Sequence, residues 1–472
     1  MTQSNQPERT VKRRDLLRSG LSACVALGCG ASVARPTLAA DQVDAPQHFP
    51  AQAKHVIVLY MSGGYSHVDT FDPKPVLTQK HDQSIGLEPK VIVTGMPKID
   101  RFLKAPAWKF RPNRQCGTEV SDLFPHIRDV MHEVALIRSM NSDHSDHGEA
   151  TLQLHTGSTS VAMPSFGAWL SFGLGSLNPQ LPSHVVLSEH RPYSGAQIWD
   201  ANFLPALHSG VRILPGKDPL PFLQSPNPTT IRDFEFELLT KINQKHQQQR
   251  QDGGQLAGRI AAAQSARGLQ IAAPEAFDLS QETKETLHLY GSKPGDVKSY
   301  ASQCITARRL VERGVRFVEI IDAVGSCSDN WDAAHRDIQS HAKYAQRVDQ
   351  PVAALITDLK RRGLLEETLL VFCTEFGRTP WAQDGKGTKS RNHHPLAFSC
   401  WLAGGGVKPG ITYGQSDELG NQVAENMVHI HDFHATILRI MGLDHTRLTY
   451  RYAGRDFRLT DVHGHIVEDL LA

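Results

Sequence analysis

The sequence has few cysteines, no excess of charge of one sign, and no long apolar run after its first 40 residues. Seven of its 472 residues are cysteines, and the five beyond residue 40 are Cys116, Cys304, Cys327, Cys373 and Cys400. An odd number without close spacing excludes a disulfide framework and a thiolate zinc site. The formal net charge of +1 gives no electrostatic basis for binding nucleic acid. No segment past residue 40 reaches the ~18 apolar residues of a membrane-spanning helix.

The first 40 residues have the pattern of an export signal. Two arginines precede "DLL", and a modestly apolar run follows that ends in the small residues of "TLAA". This order resembles twin-arginine signals, whose passengers leave the cytoplasm folded and often with a metal or cofactor installed. We expect residues 1–40 to be a signal peptide and residues 41–472 to be periplasmic or extracellular. The segment ending at Cys24 also resembles a lipoprotein signal. The apolar run before this cysteine is short for such a signal, so no lipid anchor is expected.

Apolar, β-branched runs recur along the rest of the chain and alternate with segments of helical spacing. The runs are HVIVLYM, HEVALIRSM, SHVVLSE, GVRFVEIID, ETLLVFCTEFG and PLAFSCWLAGGG. Such alternation predicts an α/β fold with a mainly parallel central sheet flanked by helices. Two stretches, near 79–116 and 225–290, are interpreted as insertions, and the polar part of the second as a solvated helix or a loop. A helix is also predicted at HDFHATILRIMGLD, capped by Asp432 and stopped by Gly442.

Residues able to bind metals or transfer protons gather at the predicted strand ends, where open α/β sheets keep their sites. The first cluster, SGGYSHVDTFDPKP, offers Asp69, which could equally cap a turn. The second, SMNSDHSDHGEATLQLHTG, brings His144, Ser145 and His147 to a predicted helix start. That position suits an anion, because helix amides are free there, but ordinary capping explains it equally well.

Two later clusters add carboxylates and histidines. In DNWDAAHRDIQSH, Asp332 and His335 stand three residues apart, so they could share a divalent ion on one helical face or form an exposed ion pair. TEFGRTP brings Glu375 and Arg378 to one strand end, and SRNHHPLAF brings His394 to the start of the next strand. A capped turn for the glutamate and a surface patch for the histidines are the alternatives.

The order of these clusters resembles the alkaline phosphatase superfamily, which includes the sulfatases. Several sequence motifs are similar to those of an exported branch of this superfamily, the domain of unknown function 1501 family. These motifs are "LHTG", "TEFGRTP", "LAGGGVKPG", "HDFHATIL" and "LTYRYAGRDFRLTDVHG". The resemblance spans roughly Val56 to the C-terminus. It implies a sulfatase-like fold and metal-dependent hydrolysis of sulfate or phosphate esters. The alternative is a non-catalytic exported binding or scaffold protein with a degenerate site.

The resemblance also implies a metal site. A divalent ion, whether zinc, manganese or calcium, would be held by Asp69, Asp332, His335, Glu375 and His394. His393 is the alternative to His394. Mixed nitrogen and oxygen ligands suit the three metals about equally.

Catalytic roles follow from the same resemblance. The superfamily's nucleophile position falls on His147, so either Ser142 or Ser145 attacks or there is no covalent nucleophile. His147 or His144 would transfer protons, which suits an imidazole near neutral pH. Arg378 would pair with the oxygens of an anionic small-molecule or glycan ester.

Overall fold

The computed structural model describes residues 48–85, 101–220, 227–249, 255–323, 329–383 and 385–472. The predicted signal peptide at residues 1–40 lies outside these ranges, as does Cys327. Within them, no helix combines the length and the apolarity needed to cross a bilayer.

A nine-stranded sheet forms the centre of the described part of the chain. Its strands are β1 His55–Tyr60, β2 Val134–Asn141, β3 His184–Leu187, β4 Val211–Ile213, β5 Phe317–Ile321, β6 Thr368–Cys373, β7 Phe398–Gly404, β8 Ile411–Tyr413 and β9 Val428–His429. They lie in the order β8-β2-β7-β6-β1-β5-β3-β4, with β9 beside β2. Strand β7 is antiparallel to both neighbours, and the other pairings are parallel. The predicted α/β fold with a mainly parallel sheet is therefore confirmed, and all six apolar runs form strands of this sheet.

Helices pack around this sheet. The longer ones in the described residues are α1 His147–Thr156, α2 Phe166–Leu174, α3 Thr229–Gln248, α4 Gln255–Phe277, α5 Lys284–Tyr290, α6 Tyr300–Glu312, α7 His341–Arg361 and α8 Ile430–Ile440. Short helical turns include His67–Thr70, Pro75–Gln79, Pro125–Asp129 and the 3₁₀ turn Trp331–His335. Two-stranded ribbons pair Gly377–Arg378 with His393–His394, Gln415–Ser416 with Val423–Glu425, Ser84–Ile85 with Arg101–Phe102, Phe110–Pro112 with Glu119–Ser121, and Tyr450–Tyr452 with Arg455–Phe457. Helix α3 includes the described polar part of the second predicted insertion up to Gln248.

Strand β1 shows how alternation along a strand builds a core on each face of the sheet. Ile57 and Leu59 belong to one cluster of buried residues, which also contains Leu355 of α7. Val58 and Tyr60 belong to a second cluster with Phe433 of α8. Both faces of the sheet are therefore covered, as a mainly parallel sheet requires.

Helix α8 differs from its prediction at the first turn. The N-cap is His429, whose ring accepts a hydrogen bond from the backbone of His431. Asp432 is the third helical residue and accepts from the backbone N–H of His429 at 3.0 Å, which completes a capping box. Gly442, at φ +82°, follows the helix end as predicted.

The direction of β7 decides which loops meet. Strands β1, β2, β5 and β6 are parallel, so the loops that follow them leave the same edge of the sheet. Strand β7 runs the opposite way, so the loop that precedes it lies at that edge too. The predicted clusters are therefore brought to one edge.

Candidate metal centre

Two glycines at the end of β1 let the chain turn close to neighbouring loops. Gly63 has φ +106° and Gly64 has φ +71°, conformations that L side chains rarely adopt. A Cβ on Gly63 would lie 2.5 Å from Asn330 Oδ1, and one on Gly64 would lie 2.6 Å from the ring of Phe376. Both glycine carbonyls accept hydrogen bonds from Arg378. The turn therefore fixes a guanidinium at this edge.

Helix α1 places a histidine at the same edge. Asp146 is its N-cap and accepts a hydrogen bond from the backbone of Gly148 at 2.9 Å. His147 is the first helical residue, and its side chain is buried. The predicted helix start is confirmed, and it fixes the position of this imidazole.

The loop after β5 supplies a carboxylate and a second imidazole. Asn330 caps the 3₁₀ turn by accepting from the backbone of Asp332 at 3.0 Å. In a 3₁₀ turn residues three apart are eclipsed, so Asp332 and His335 lie on one side. Asp332 Oδ1 is 3.4 Å from His335 Nε2, as the spacing of the two residues predicted.

The ribbon before β7 supplies the third imidazole. Successive side chains of a strand point to opposite sides, so His393 and His394 diverge. His393 Nε2 lies 3.2 Å from Asp332 Oδ1. His394 Nε2 donates instead to the carbonyl of Asn421 at 2.6 Å.

Four side chains thus form what we call the edge cluster: His147, Asp332, His335 and His393. Each offers a ligand atom, and the four atoms lie within 4.8 Å of one another. Asp332 Oδ1 is also 2.8 Å from His147 Nε2. Three imidazole nitrogens and one carboxylate oxygen are a donor set that zinc and other divalent transition metals accept.

Hydrogen bonds on the far side of each ring set its orientation. The Nδ1 atoms contact Glu375 Oε1 at 2.7 Å for His147, the carbonyl of Ser145 at 2.7 Å for His393, and Gln383 Oε1 for His335. For His335 and His393, donation from Nδ1 leaves a lone pair on Nε2 that is directed into the cluster. His335 Nε2 and His393 Nε2 contact one another directly. Two neutral imidazoles in this tautomer repel unless a proton or a cation lies between them.

Burial and close contacts set the charges in the cluster. Burial opposes ionisation of Asp332, but contacts with His147 and His393 hold its pKa well below the usual range. Burial disfavours protonation of His147, but Asp332 and Glu375 raise its pKa above the usual value. Burial lowers the pKa of His335, and it lowers the pKa of His393 to about 3. A charged carboxylate therefore faces two imidazoles that are neutral at pH 7.

Glu375, predicted as a metal ligand, lies fully buried behind His147. Its Oε1 accepts from His147 Nδ1 at 2.7 Å and from the backbone of Gly63 at 2.8 Å. Its Oε2 accepts from the hydroxyls of Tyr60 and Thr374, each at 3.1 Å. Both oxygens of the glutamate are therefore engaged by groups of this chain.

Arg378, predicted to hold a substrate anion, is also fully buried. Its Nε donates to the carbonyl of Gly64 at 2.7 Å, and its Nη1 donates to that of Arg391 at 3.4 Å. Its Nη2 donates to the carbonyl of Gly63 and to Asp332 Oδ1, the latter at 2.9 Å. These contacts leave little of the guanidinium for a substrate, and they position Asp332.

Asp69, predicted as a ligand, lies outside the edge cluster. It forms a buried ion pair with Arg391 Nε at 2.7 Å. It also accepts from the backbone of Ala107 at 2.8 Å and from Ser66 Oγ at 2.5 Å. The turn His67–Thr70 carries it into this separate network.

The predicted proton donor and nucleophiles lie on the loop before α1. His144 is partly exposed, and its Nδ1 accepts from the backbone of Asp146 at 3.1 Å. Ser145 contributes its carbonyl to His393, and Ser142 Oγ donates to the carbonyl of Glu375 at 3.4 Å.

Tyr193 and Gln383 also contact the edge cluster, and neither was predicted from the sequence. The ring of Tyr193 stacks on His147, with centroids 4.3 Å apart and an interplanar angle of 9°. Tyr193 follows β3, which is parallel to β5, so its strand end could have indicated it. Gln383 lies in a polar loop whose sequence carries no comparable signal.

The fold and the edge cluster define an α/β protein with a candidate metal centre at the carboxyl edge of its sheet. The family described as Protein of unknown function (DUF1501) matches residues 53–471, and the chain belongs to this family. The family resemblance inferred from the sequence is thereby confirmed. A search of curated proteins gave no match.

Solved structures that resemble the chain share little sequence with it. The lipoteichoic acid synthase LtaP from Listeria monocytogenes is 7% identical, with 88% of this chain and 76% of that chain covered and a TM-score of 0.38. Alkaline phosphatase from the Antarctic bacterium TAB5 is 10% identical, with 82% and 98% covered and a TM-score of 0.34. The PsFucS1 sulfatase from Pseudoalteromonas sp. is 14% identical, with 83% and 68% covered and a TM-score of 0.34. Likenesses this weak carry no statement about the site.

Proposed function

We propose that this chain is an exported, metal-dependent hydrolase of anionic esters, and that the edge cluster is its metal centre. The observation that supports the metal is the convergence of His147, His335 and His393 on Asp332, with each Nδ1 engaged by an acceptor. The ester class, sulfate or phosphate, rests on the order of sequence motifs. Export rests on the pattern of residues 1–40.

The residues present fit a divalent ion. Catalytic zinc sites use nitrogen and oxygen donors of this kind, and histidine ligands commonly donate their other N–H to a carboxylate or carbonyl. Glu375 accepts such a hydrogen bond from His147, and the carbonyl of Ser145 accepts one from His393. A bound divalent ion would supply Lewis-acid polarisation of an ester oxygen and a lowered pKa of water.

The chain's own groups have distinct roles in this proposal. His147, His335 and His393 bind through Nε2, and Glu375 holds His147 in its tautomer. Arg378 fixes Asp332 against the turn after β1. Tyr193 covers one face of His147 and excludes water from it.

His144 is the candidate for protonating the leaving group. His147 is committed to the cluster, so it is not free for proton transfer while a cation is bound. His144 lies on the loop before α1, and its side chain is partly exposed. A partly accessible imidazole can act as a general acid.

The test is a hydrolysis screen with aryl sulfates, aryl phosphates and sulfated or phosphorylated glycans, run with zinc, manganese or calcium. The full chain should cleave at least one class, and Asp332→Asn should reduce kcat/KM by at least 100-fold. Lys408→Ala, a surface change outside the site, is the control. Failure on every ester by a fully metal-loaded protein would contradict the hydrolase proposal.

A binding or scaffold protein is the second candidate. The hydrogen bonds of Arg378 favour this candidate, because its N–H groups donate to backbone carbonyls and to Asp332 instead of to an anion. Metal binding without hydrolysis, together with saturable binding of a sulfated glycan in calorimetry, would support this alternative.

A further inference from the structure

Helix α3 has an apolar stripe that faces outward. Its members are Ile231, Phe234, Leu239 and Ile242, whose exposed fractions lie between 46% and 67%. Leu238, which lies between them on the helical projection, is half-buried. A helix normally turns such a stripe toward the core. Here the stripe has no partner among the described residues that buries it.

The polar residues of α3 are segregated along its length. Asp233, Glu235 and Glu237 lie in its first half, where Arg232 is the single basic residue. Lys241 and Lys245 lie in the second half, together with His246. The two halves therefore have opposite charge.

We infer that α3 is a self-association surface, which pairs with α3 of a second copy of this chain in antiparallel orientation. A two-fold axis near Leu238 would place Phe234 of one copy against Ile242 of the other. The same axis would set the acidic half of each helix opposite the basic half of the other. A parallel pairing would set like charges together, so the charge pattern selects the antiparallel one.

The charge pattern of α3 also favours a second copy of the chain over a lipid surface as the partner of this helix. Helices that lie on anionic membranes have a basic polar face. The acidic and basic side chains of α3 nearly balance, which suits a partner with the same pattern. A 20-residue helix spans about 30 Å, so a single helix pair makes a small interface and a concentration-dependent dimer.

The experiment is sedimentation velocity on the full chain over a range of concentrations. Wild type should show a dimer whose population grows with concentration, and Phe234→Glu should raise the dissociation constant at least tenfold. Val462→Glu replaces a comparably exposed apolar residue elsewhere and should change nothing. A wild type that stays monomeric throughout, or a Val462→Glu variant that dissociates equally, would overturn the inference.

Charge reversal tests the orientation and does not disturb the core. Lys241→Glu with Lys245→Glu should weaken the dimer, and adding Glu235→Lys with Glu237→Lys should restore it. Absence of this rescue would overturn the antiparallel arrangement. Binding of monomeric wild type to anionic lipid vesicles through the same stripe would overturn self-association in favour of a membrane surface.

Discussion

His393 and His394 are neighbours in sequence but serve two different regions. His393 directs Nε2 at Asp332, among other imidazoles that do the same. His394 directs Nε2 at the carbonyl of Asn421. Beside it, His67 donates in the same way to the carbonyl of Gly420 at 2.8 Å. The first region leaves ring lone pairs facing a common centre, whereas the second uses its rings to hold a loop.

The carboxylates of the two regions, Asp332 and Asp69, also differ in their surroundings. Asp332 is partly exposed and contacts three imidazoles. Asp69 is fully buried and paired with Arg391, so its charge is already compensated. The same residue types therefore form a potential ligand site in one region and a structural network in the other. What separates them is that the imidazole Nε2 atoms of the first region converge on Asp332, whereas in the second region each ring faces a carbonyl and the carboxylate faces a guanidinium.

The largest effect should come from breaking the structural network. Asp69→Ala leaves Arg391 buried without its counter-ion, which costs about 3–5 kcal/mol. Urea unfolding of the metal-free full chain measures it. A loss below about 1 kcal/mol would contradict the structural role of Asp69.

The next effect should come from the edge cluster. Asp332→Asn removes the charge on which three imidazoles converge, so metal affinity should fall by more than the roughly 10- to 100-fold typical of outer-shell changes. Titration against a chelator of known affinity measures it. Stability of the metal-free protein should fall as well, because the buried Arg378 loses its charged partner. Unaltered metal affinity would remove Asp332 from the site.

A smaller effect is expected from the group behind His147. Tyr60→Phe removes the hydroxyl that donates to Glu375 Oε2, and metal affinity should fall by about 10-fold. Tyr65→Phe is the matched control, because that buried hydroxyl donates to the carbonyl of Ser399. Equal losses in both variants would show a general packing effect instead of ligand orientation.

The last effect is the pH dependence of stability that arises from His67, in the region whose histidines hold a loop. Burial lowers the pKa of His67 to about 4, so between about pH 6.5 and 4 the unfolded state binds the extra proton. Stability should therefore fall as pH drops through this window. His67→Gln keeps a donor for Gly420 and should reduce the slope by up to about 1.4 kcal/mol per pH unit. Unfolding curves at pH 7, 6 and 5 measure it, and an unchanged slope would contradict a buried neutral His67.

The sheet could be predicted from sequence because its strands are unbroken apolar runs buried on both faces. The pairing of Asp332 with His335 was also predictable, since a spacing of three puts them together in any helical turn. The direction of each strand could not be predicted, because nothing in the apolar run that forms β7 indicates that this strand is antiparallel. That direction is what brings His393 to the carboxyl edge.

The choice between neighbouring side chains could not be made from sequence either. His393 and His394 differ only in the side of the ribbon they face, which depends on its pairing with Gly377–Arg378. Glu375 and Asp69 carry the right chemistry, but a hydrogen bond from Tyr60 and an ion pair with Arg391 give them partners from distant parts of the chain. Partners distant in sequence decide which acids are free.

Metal content of the full chain beside His393→Ala and His394→Ala is the most direct test of the account. Elemental analysis after loading with zinc or manganese and desalting should find bound metal in wild type and in His394→Ala, and almost none in His393→Ala. Circular dichroism would establish that both variants are folded. Equal retention by the two variants, or loss only in His394→Ala, would contradict the edge cluster as the metal centre.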